Sequence, residues 1–185
     1  MDNPTLILQT VDRHLDHPVS LVLYGRAALS LGFDAAPPET AKTLDVDAII
    51  SAAQSEELAA DPQFWDAMEA ANAELAERGL YMTHLFNERE IFLRRDWQHH
   101  IVPVSRPVLR WLKLSRPAAL DFVLTKMMRG NDPQDMADAK FMITHDRITK
   151  SQLQEAFSQM NPIKLVELRD SFKRAQPIVL GFACD

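Results

Sequence analysis

Two aspartates separated by one residue are the feature of this sequence best suited to chemistry. Asp45 and Asp47 lie in the segment LDVDAII, whose alternation predicts a β-strand with both carboxylates on one face, their backbones about 6.6 Å apart. The two charges repel by about 2–3 kcal/mol at an effective dielectric constant of about 20. Such a pair is stable in open solvent or around a cation, and its oxygens suit Mg²⁺ or, by the same chemistry, Mn²⁺.

A glycine turn precedes this strand in the chain. The segment SLVLYG predicts a short buried strand that ends at Gly25, and RAALSLGF predicts a short helix closed by Gly32. Backbone N–H groups at the start of a helix bind phosphate readily. The turn therefore favours a metal and phosphate site at Asp45 and Asp47. The alternative is that both aspartates are solvent-facing residues of an edge strand.

These segments resemble the nucleotidyltransferase fold. LVLYGRAALSLGF followed by KTLDVDAII is similar to the glycine turn, the helix and the metal-binding Dx[DE] strand of that fold. The later segment RPAALDFVLTKMMRGNDPQDMADAKFMI resembles the helical element of nucleotidyltransferase-like proteins of the abortive-infection toxin type. The two matches cover residues 21–50 and 116–143.

The first match implies roles for four residues. Gly25 would be the turn on the phosphate side, and Asp45 and Asp47 would bind the metal ion. Arg26 stands where the family usually has Gly or Ser. Its guanidinium either binds a triphosphate bidentately or occupies the place of the phosphate.

The second match implies a phosphate contact and its support. Lys126 would reach the nucleotide phosphates or the catalytic centre, with Arg129 on the same stripe of a predicted helix. Asp135 and Asp138 would orient the following helix towards the site. The alternative is a structural salt bridge between neighbouring helices, and the two roles are compatible.

The resemblance implies an enzyme that binds a nucleoside triphosphate with Mg²⁺ or Mn²⁺. It would transfer the nucleoside monophosphate to an RNA, protein or small-molecule acceptor and release pyrophosphate. The same resemblance suggests a toxin–antitoxin setting, with an antitoxin or another protein as partner. The alternative is a degenerate member of this fold that binds nucleotide or protein without catalysis. Arg26 favours this alternative, as does YMTHLFNERE, which has no acid in its strand where active members carry a third carboxylate. A third interpretation is an α+β scaffold that binds only a partner protein.

Local patterns predict the elements that position these residues. A helix is expected over residues 4–15, and a second begins at Asp61 as N-cap with Pro62 and ends before Gly79. The segments LYMTHLF and EIFLRR predict a hairpin or adjacent antiparallel strands, and HIVPV with PVLRWLKL predicts one further strand.

The chain changes character after residue 115. Helices are predicted there over residues 117–129, 133–145, 150–160 and 162–175, the third with a capping box at Thr149 and Gln152. The predicted class is therefore α+β. A small mixed nucleotidyltransferase-like sheet flanked by helices would occupy residues 1–114, and a C-terminal helical bundle residues 115–185.

Composition and charge limit the function classes. The 185 residues are 46% hydrophobic and 25% charged, which is typical of a globular protein and excludes disordered, collagen-like and coiled-coil chains. A net charge of −6 does not favour a general nucleic-acid binder. The candidate basic patch is Arg94, Arg95, Arg106, Arg110, Lys113 and Arg116, with a solvated face as the alternative.

The sequence predicts a cytoplasmic protein with no membrane partner. No uncharged apolar run approaches the roughly 18 residues that a membrane span needs, and the acidic start MDNPTLILQTVDRHLD is unlike a signal peptide. The single cysteine, Cys184, excludes an internal disulfide.

Overall fold

The structure, a computed structural model, divides the chain into two units. It describes residues 1–161 and 165–184, apart from the side chain of His84. The first unit contains Met1–Glu88 and Val102–Arg116, and the second contains Arg89–Ile101 and Pro117–Asp185. The predicted boundary lies after residue 114. The segment Arg89–Ile101, predicted as part of the N-terminal domain, lies in the second unit together with the C-terminal helices.

The first unit alternates helices and strands. Its elements are α1 (Asn3–His14), β1 (Val19–Tyr24), α2 (Gly25–Gly32), a 3₁₀ helix (Pro38–Lys42), β2 (Asp45–Ile50), α3 (Ala52–Ala59), α4 (Pro62–Leu75), a 3₁₀ turn (Ala76–Arg78), β3 (Tyr81–Asn87), β4 (Val102–Pro103) and β5 (Leu112–Arg116). The predicted start of α4 is confirmed, whereas the α-helix ends at Leu75 and a 3₁₀ turn continues from there to the predicted stop at Gly79. Asp61 accepts from the Phe64 N–H at 3.0 Å, and Gly79 ends the 3₁₀ turn with φ of +64°.

The strands form a mixed sheet, and the predicted α+β class is confirmed. Across the described residues the strand order is β3-β2-β1-β5-β4. The pairs β2–β3 and β1–β5 are parallel, whereas β1–β2 and β4–β5 are antiparallel. One face is fully buried at Leu21, Leu23, Val46 and Ala48, and α1 and α4 lie close to the sheet through β2 and β3.

The predicted hairpin after α4 is wrong. Strand β3 pairs in parallel with β2, because α3 and α4 connect the two strands and a long crossover permits parallel pairing. Residues 90–95, all of them described, form no strand of the sheet, and Arg94 instead makes an isolated bridge to Met160 within the second unit. Helix α3 was not predicted.

A buried aspartate of α1 holds the chain that enters β5. The Asp12 carboxylate accepts hydrogen bonds from the backbone N–H groups of Arg110, Trp111 and Leu112 at 2.9, 2.7 and 2.8 Å. Asp12 is only 9% exposed. Three converging amides satisfy the carboxylate, so burial of its charge is tolerated.

Two arginines bind the C-terminal end of α2. Arg116 Nε donates to the Gly32 carbonyl at 2.7 Å, and its guanidinium lies 3.8 Å from the Phe33 ring centroid. Arg106 donates to the carbonyls of Leu31 and Phe33, each at 3.0 Å. A Cβ at Gly32 would lie 2.4 Å from Arg116 Cδ. A side chain at position 32 would therefore collide with Arg116, which explains the glycine at this last residue of α2, and both arginines stabilise the negative end of the helix.

The second unit is helical after residue 117. Its helices are α5 (Ala119–Lys126), α6 (Pro133–His145), α7 (Lys150–Gln159) and α8 (Val166–Gly181). The bounds of α6 and the capping box at Thr149 are confirmed. Helix α5 is shorter than predicted, so Arg129 follows it rather than lying on it. The predicted helix start at Pro162 lies outside the described residues. Within the part of the chain that is described, no helix is long and apolar enough to cross a membrane.

Candidate functional site

The aspartate pair lies beside the glycine turn. Asp45 is the first residue of β2, and Asp47 is the register partner of Tyr24, the last residue of β1. Gly25 follows directly with φ of +66°, a left-handed conformation that favours glycine. A Cβ at Gly25 would lie 3.6 Å from Asp47 Oδ2. The antiparallel pairing of β1 and β2 therefore brings together the turn, the start of α2 and the two carboxylates.

Two threonine hydroxyls bind the aspartates. Thr43 Oγ1 donates to Asp45 Oδ1 at 2.7 Å, and the Thr83 hydroxyl donates to Asp47 Oδ1. The β2–β3 register shifts between Val46, which pairs with Met82, and Ala48, which pairs with Leu85. The extra residue of a bulge therefore lies on β3 opposite Asp47, and bulges are common where a strand re-aims a side chain. The contact of Thr83 with Asp47 was not predicted, because the strand pairing that places Thr83 there has no local sequence signal.

The donor set fits a hydrated divalent cation. Asp45 and Asp47 share a face of β2 by strand alternation, and both are half-buried. No group of three His, Cys, Asp or Glu side chains placed to hold a metal ion occurs among the described residues. Two carboxylates suit Mg²⁺, because this ion commonly takes one or two carboxylate ligands from the protein and fills its remaining coordination positions with water and phosphate oxygens.

Arg26 adds positive charge at the start of α2. It is the second residue of the helix, and its side chain is 19% exposed. Arg26 Nη2 lies 3.9 Å from Glu39 Oε1 on the 3₁₀ helix, a separation that is long for a strong ion pair. The guanidinium and the first N–H groups of α2 belong to the same turn, where anions are stabilised.

The lysine predicted to contact phosphate is buried between carboxylates. Lys126 Nζ donates to Asp138 Oδ2 at 2.7 Å and to Asp135 Oδ1 at 3.2 Å, and its side chain is 6% exposed. Arg129 Nε donates to Asp135 Oδ2 at 2.5 Å, while Arg129 itself is 60% exposed. This geometry is that of a salt bridge between α5 and α6, the structural alternative for these residues.

The predicted site residues thus form two groups, one in each unit. Gly25, Arg26, Asp45 and Asp47 belong to the first unit, and Lys126, Arg129, Asp135 and Asp138 to the second. No protein-family model, curated protein sequence or solved structure matches the chain. Function is therefore inferred from the geometry of each group.

Another buried ion pair lies in the second unit. Asp121 is fully buried and accepts from the backbone N–H, Nε and Nη2 of Arg94 at 3.0, 3.1 and 2.7 Å. The hydrogen bonds between the Arg94 guanidinium and the Asp121 carboxylate are the main cause of the raised pKa of Arg94. Arg94 is therefore committed to an internal partner. Arg106 and Arg116 are likewise bound to carbonyls of α2 and its C-cap, so three of the six residues of the predicted basic patch have internal partners, whereas Arg95, Arg110 and Lys113 are exposed.

The histidines near α1 are paired with carboxylates. His14 Nε2 lies 3.1 Å from Glu74 Oε2, and His17 contacts Asp16 and Asp61 at 2.7 and 2.8 Å. A surface cavity of about 260 Å³ is lined by His14, Asp16, Gln63, Asp66, Ala67 and Ala70. Both histidines therefore have carboxylate hydrogen-bond partners near the surface.

The pKa of His17 is expected to exceed 6.5. The hydrogen bond with Asp16, followed by that with Asp61, raises it. Because the pKa is raised in the folded state, the contribution to stability is complete below pH 6.5 and is lost as pH rises through the folded pKa. Asp61→Asn, which retains a capping side chain, should move the pKa of His17 towards 6.5 in an NMR titration. An unchanged pKa in that variant would contradict the assignment.

Proposed function

We propose that the first unit binds a nucleoside triphosphate with Mg²⁺ or Mn²⁺ and transfers a nucleoside monophosphate to an acceptor hydroxyl. The observation that carries this proposal is the position of Asp45 and Asp47 next to the left-handed turn at Gly25. A cation at the two carboxylates would neutralise phosphate charge and polarise the α-phosphoryl group. An RNA, protein or small-molecule hydroxyl is the acceptor.

The residues of this site have separate parts in the reaction. The first N–H groups of α2 and the Arg26 guanidinium bind the phosphate oxygens. Asp45 and Asp47 would hold the divalent cation, and the hydroxyls of Thr43 and Thr83 orient the two carboxylates. The acceptor hydroxyl oxygen would form a bond to the α-phosphorus and lose its proton to water, while the bond between the α-phosphorus and the oxygen that bridges to the β-phosphorus breaks and pyrophosphate leaves. Positioning and charge neutralisation supply most of the catalysis.

A specific observation favours a second candidate, a nucleotide-binding module without transfer. Strand β3 reads YMTHLFN and contains no acid, and the side chain that it directs to Asp47 is the neutral hydroxyl of Thr83. A two-metal mechanism needs ions held about 3.5–4 Å apart, and two carboxylates are a sparse set for that task. This candidate keeps the same binding residues and omits catalysis.

The cellular setting remains part of the proposal. A nucleotidyltransferase of this kind would work in the cytoplasm, where its triphosphate and cation are supplied. The resemblance to abortive-infection toxins supports a toxin–antitoxin role with an antitoxin or another protein partner. An interaction scaffold that binds protein alone predicts no response to nucleotide or metal.

Thermal unfolding with each of the four nucleoside triphosphates, with and without Mg²⁺ or Mn²⁺, tests the binding step. A ligand at 100 times its Kd stabilises by about 2.7 kcal/mol, so we expect Tm to rise by about 5–10 °C for a chain of this size. Asp45→Asn and Asp47→Asn should each abolish the metal-dependent rise. Asp34→Asn, an exposed carboxylate of the same unit, is the matched control and should retain it.

Pyrophosphate release separates the two candidates. Release that requires both aspartates supports the enzyme, whereas binding without release supports the module. Transfer that appears only in Arg26→Gly would also support the module. Normal turnover in either aspartate variant would exclude their role as metal ligands.

A further inference from the structure

Tyr81 is an exposed aromatic residue beside the aspartate pair. It is the first residue of β3 and the register partner of Asp45 on β2, and adjacent strands lie about 4.8 Å apart. Its backbone N–H donates to the Leu44 carbonyl at 3.1 Å, which fixes the start of the strand. Tyr81 is 41% exposed, so part of its ring is available to a ligand.

Strand order places this ring across the carboxylates from the phosphate turn. Within the described sheet, β2 lies between β1 and β3. Gly25 and the start of α2 therefore lie on the β1 side of Asp45 and Asp47, and Tyr81 lies on the β3 side. A ligand whose phosphates bind at the turn and at the cation would extend its remaining groups towards Tyr81.

The chemistry of that position selects a flat, uncharged group. A carboxylate pair with a cation binds phosphate oxygens and provides no surface for stacking a nucleobase. An aromatic ring does provide a stacking surface, and every base can use it. Tyrosine also has a high strand propensity, so a ring here could serve β3 alone. The test must therefore remove the ring and retain the strand preference.

We propose that Tyr81 is the nucleobase-stacking residue of the Asp45 and Asp47 site, an assignment that rests on the proposed nucleotide function. The base belongs either to the bound triphosphate or to the terminal nucleoside of an acceptor strand. Both sources present the same π-face to Tyr81.

Equilibrium binding to three probes tests the proposal with Mg²⁺ present. The probes are the four nucleoside triphosphates, a single-stranded RNA hexamer and inorganic tripolyphosphate, which carries phosphates without a base. Tyr81→Thr removes the ring and keeps a strand-favouring residue, and Tyr81→Phe keeps the ring. Trp65→Leu removes another exposed ring of the first unit (Trp65 is 45% exposed) and is the matched control.

We expect Tyr81→Thr to lower the affinity for at least one base-containing probe by about 5- to 100-fold. Tripolyphosphate affinity should be unchanged, and Tyr81→Phe and Trp65→Leu should bind like the natural protein. Weaker binding of the triphosphates identifies their own base as the stacked group. Weaker binding of the RNA hexamer alone identifies the base of the acceptor strand as the stacked group.

Two results would overturn the stacking role while leaving the proposed function intact. One is equal affinity of Tyr81→Thr and the natural protein for every probe. The other is an equal loss for tripolyphosphate, which would show that Tyr81 acts through the fold. Failure of the natural protein to bind any probe would instead reject the proposed function and the stacking role together.

Discussion

Replacing Lys126 with methionine is expected to lower the free energy of unfolding by about 3–5 kcal/mol, because the substitution removes the lysine partner of two buried carboxylates. The two carboxylates that lose their shared ammonium, Asp135 and Asp138, are 7% and 3% exposed at their side chains. Methionine retains the length of the stem and removes the charge. Urea unfolding at pH 7, followed by circular dichroism, measures the loss.

A second substitution distinguishes a structural lysine from a ligand-binding one. Lys126→Met/Asp138→Leu should recover part of the lost stability, because replacing a buried pair by apolar side chains is often close to neutral. Lys173→Met, at a side chain that is 75% exposed, should stay within about 0.5 kcal/mol of the natural protein. A Lys126→Met protein of normal stability with weakened triphosphate binding would assign Lys126 to the nucleotide.

Asp12→Ala is expected to cost about 3–5 kcal/mol, since three backbone donors lose a charged acceptor and each buried unsatisfied donor costs about 1–3 kcal/mol. The donors are the amides of Arg110, Trp111 and Leu112. Asp12→Asn keeps one acceptor oxygen and should fall between alanine and the natural residue. Urea unfolding gives the energies, and hydrogen exchange should show reduced protection at Leu112.

The control for this prediction is an exposed aspartate of the same unit. Asp34 is exposed in the same unit, and Asp34→Ala should change stability by no more than about 0.5 kcal/mol. If Asp12→Ala unfolds at the same urea concentration as the natural protein, Asp12 does not hold the start of β5.

Local chemistry explains which elements were predictable. Helix α4 begins after the N-cap Asp61, the 3₁₀ turn that follows it ends at the left-handed Gly79, and α7 begins at a capping box at Thr149. Each signal lies within a few residues of the boundary it sets. The glycine turn and the alternation around Asp45 are equally local, so their strand assignments could be made from the sequence.

Long-range partners explain what was missed. Thr83 contacts Asp47 across parallel strands, and no local pattern specifies that pairing or its bulge. Lys126 resembles a phosphate ligand in sequence, but the two aspartates of α6 bind it only after the helices pack. Gly32 resembles a helix C-cap in sequence, yet a glycine is needed there because the side chain of Arg116, far along the chain, occupies the space of a Cβ.

The path of the chain decides how this protein can be dissected. Because the backbone passes between the units after Glu88, Ile101 and Arg116, no single truncation separates one from the other. A fragment ending at Arg116 would carry Arg94 without Asp121, and the complementary fragment would carry Asp121 without Arg94. Each deletion fragment would therefore contain one charged residue of this buried pair without its partner. Point substitutions in the full-length chain are the appropriate way to assign activity to either unit.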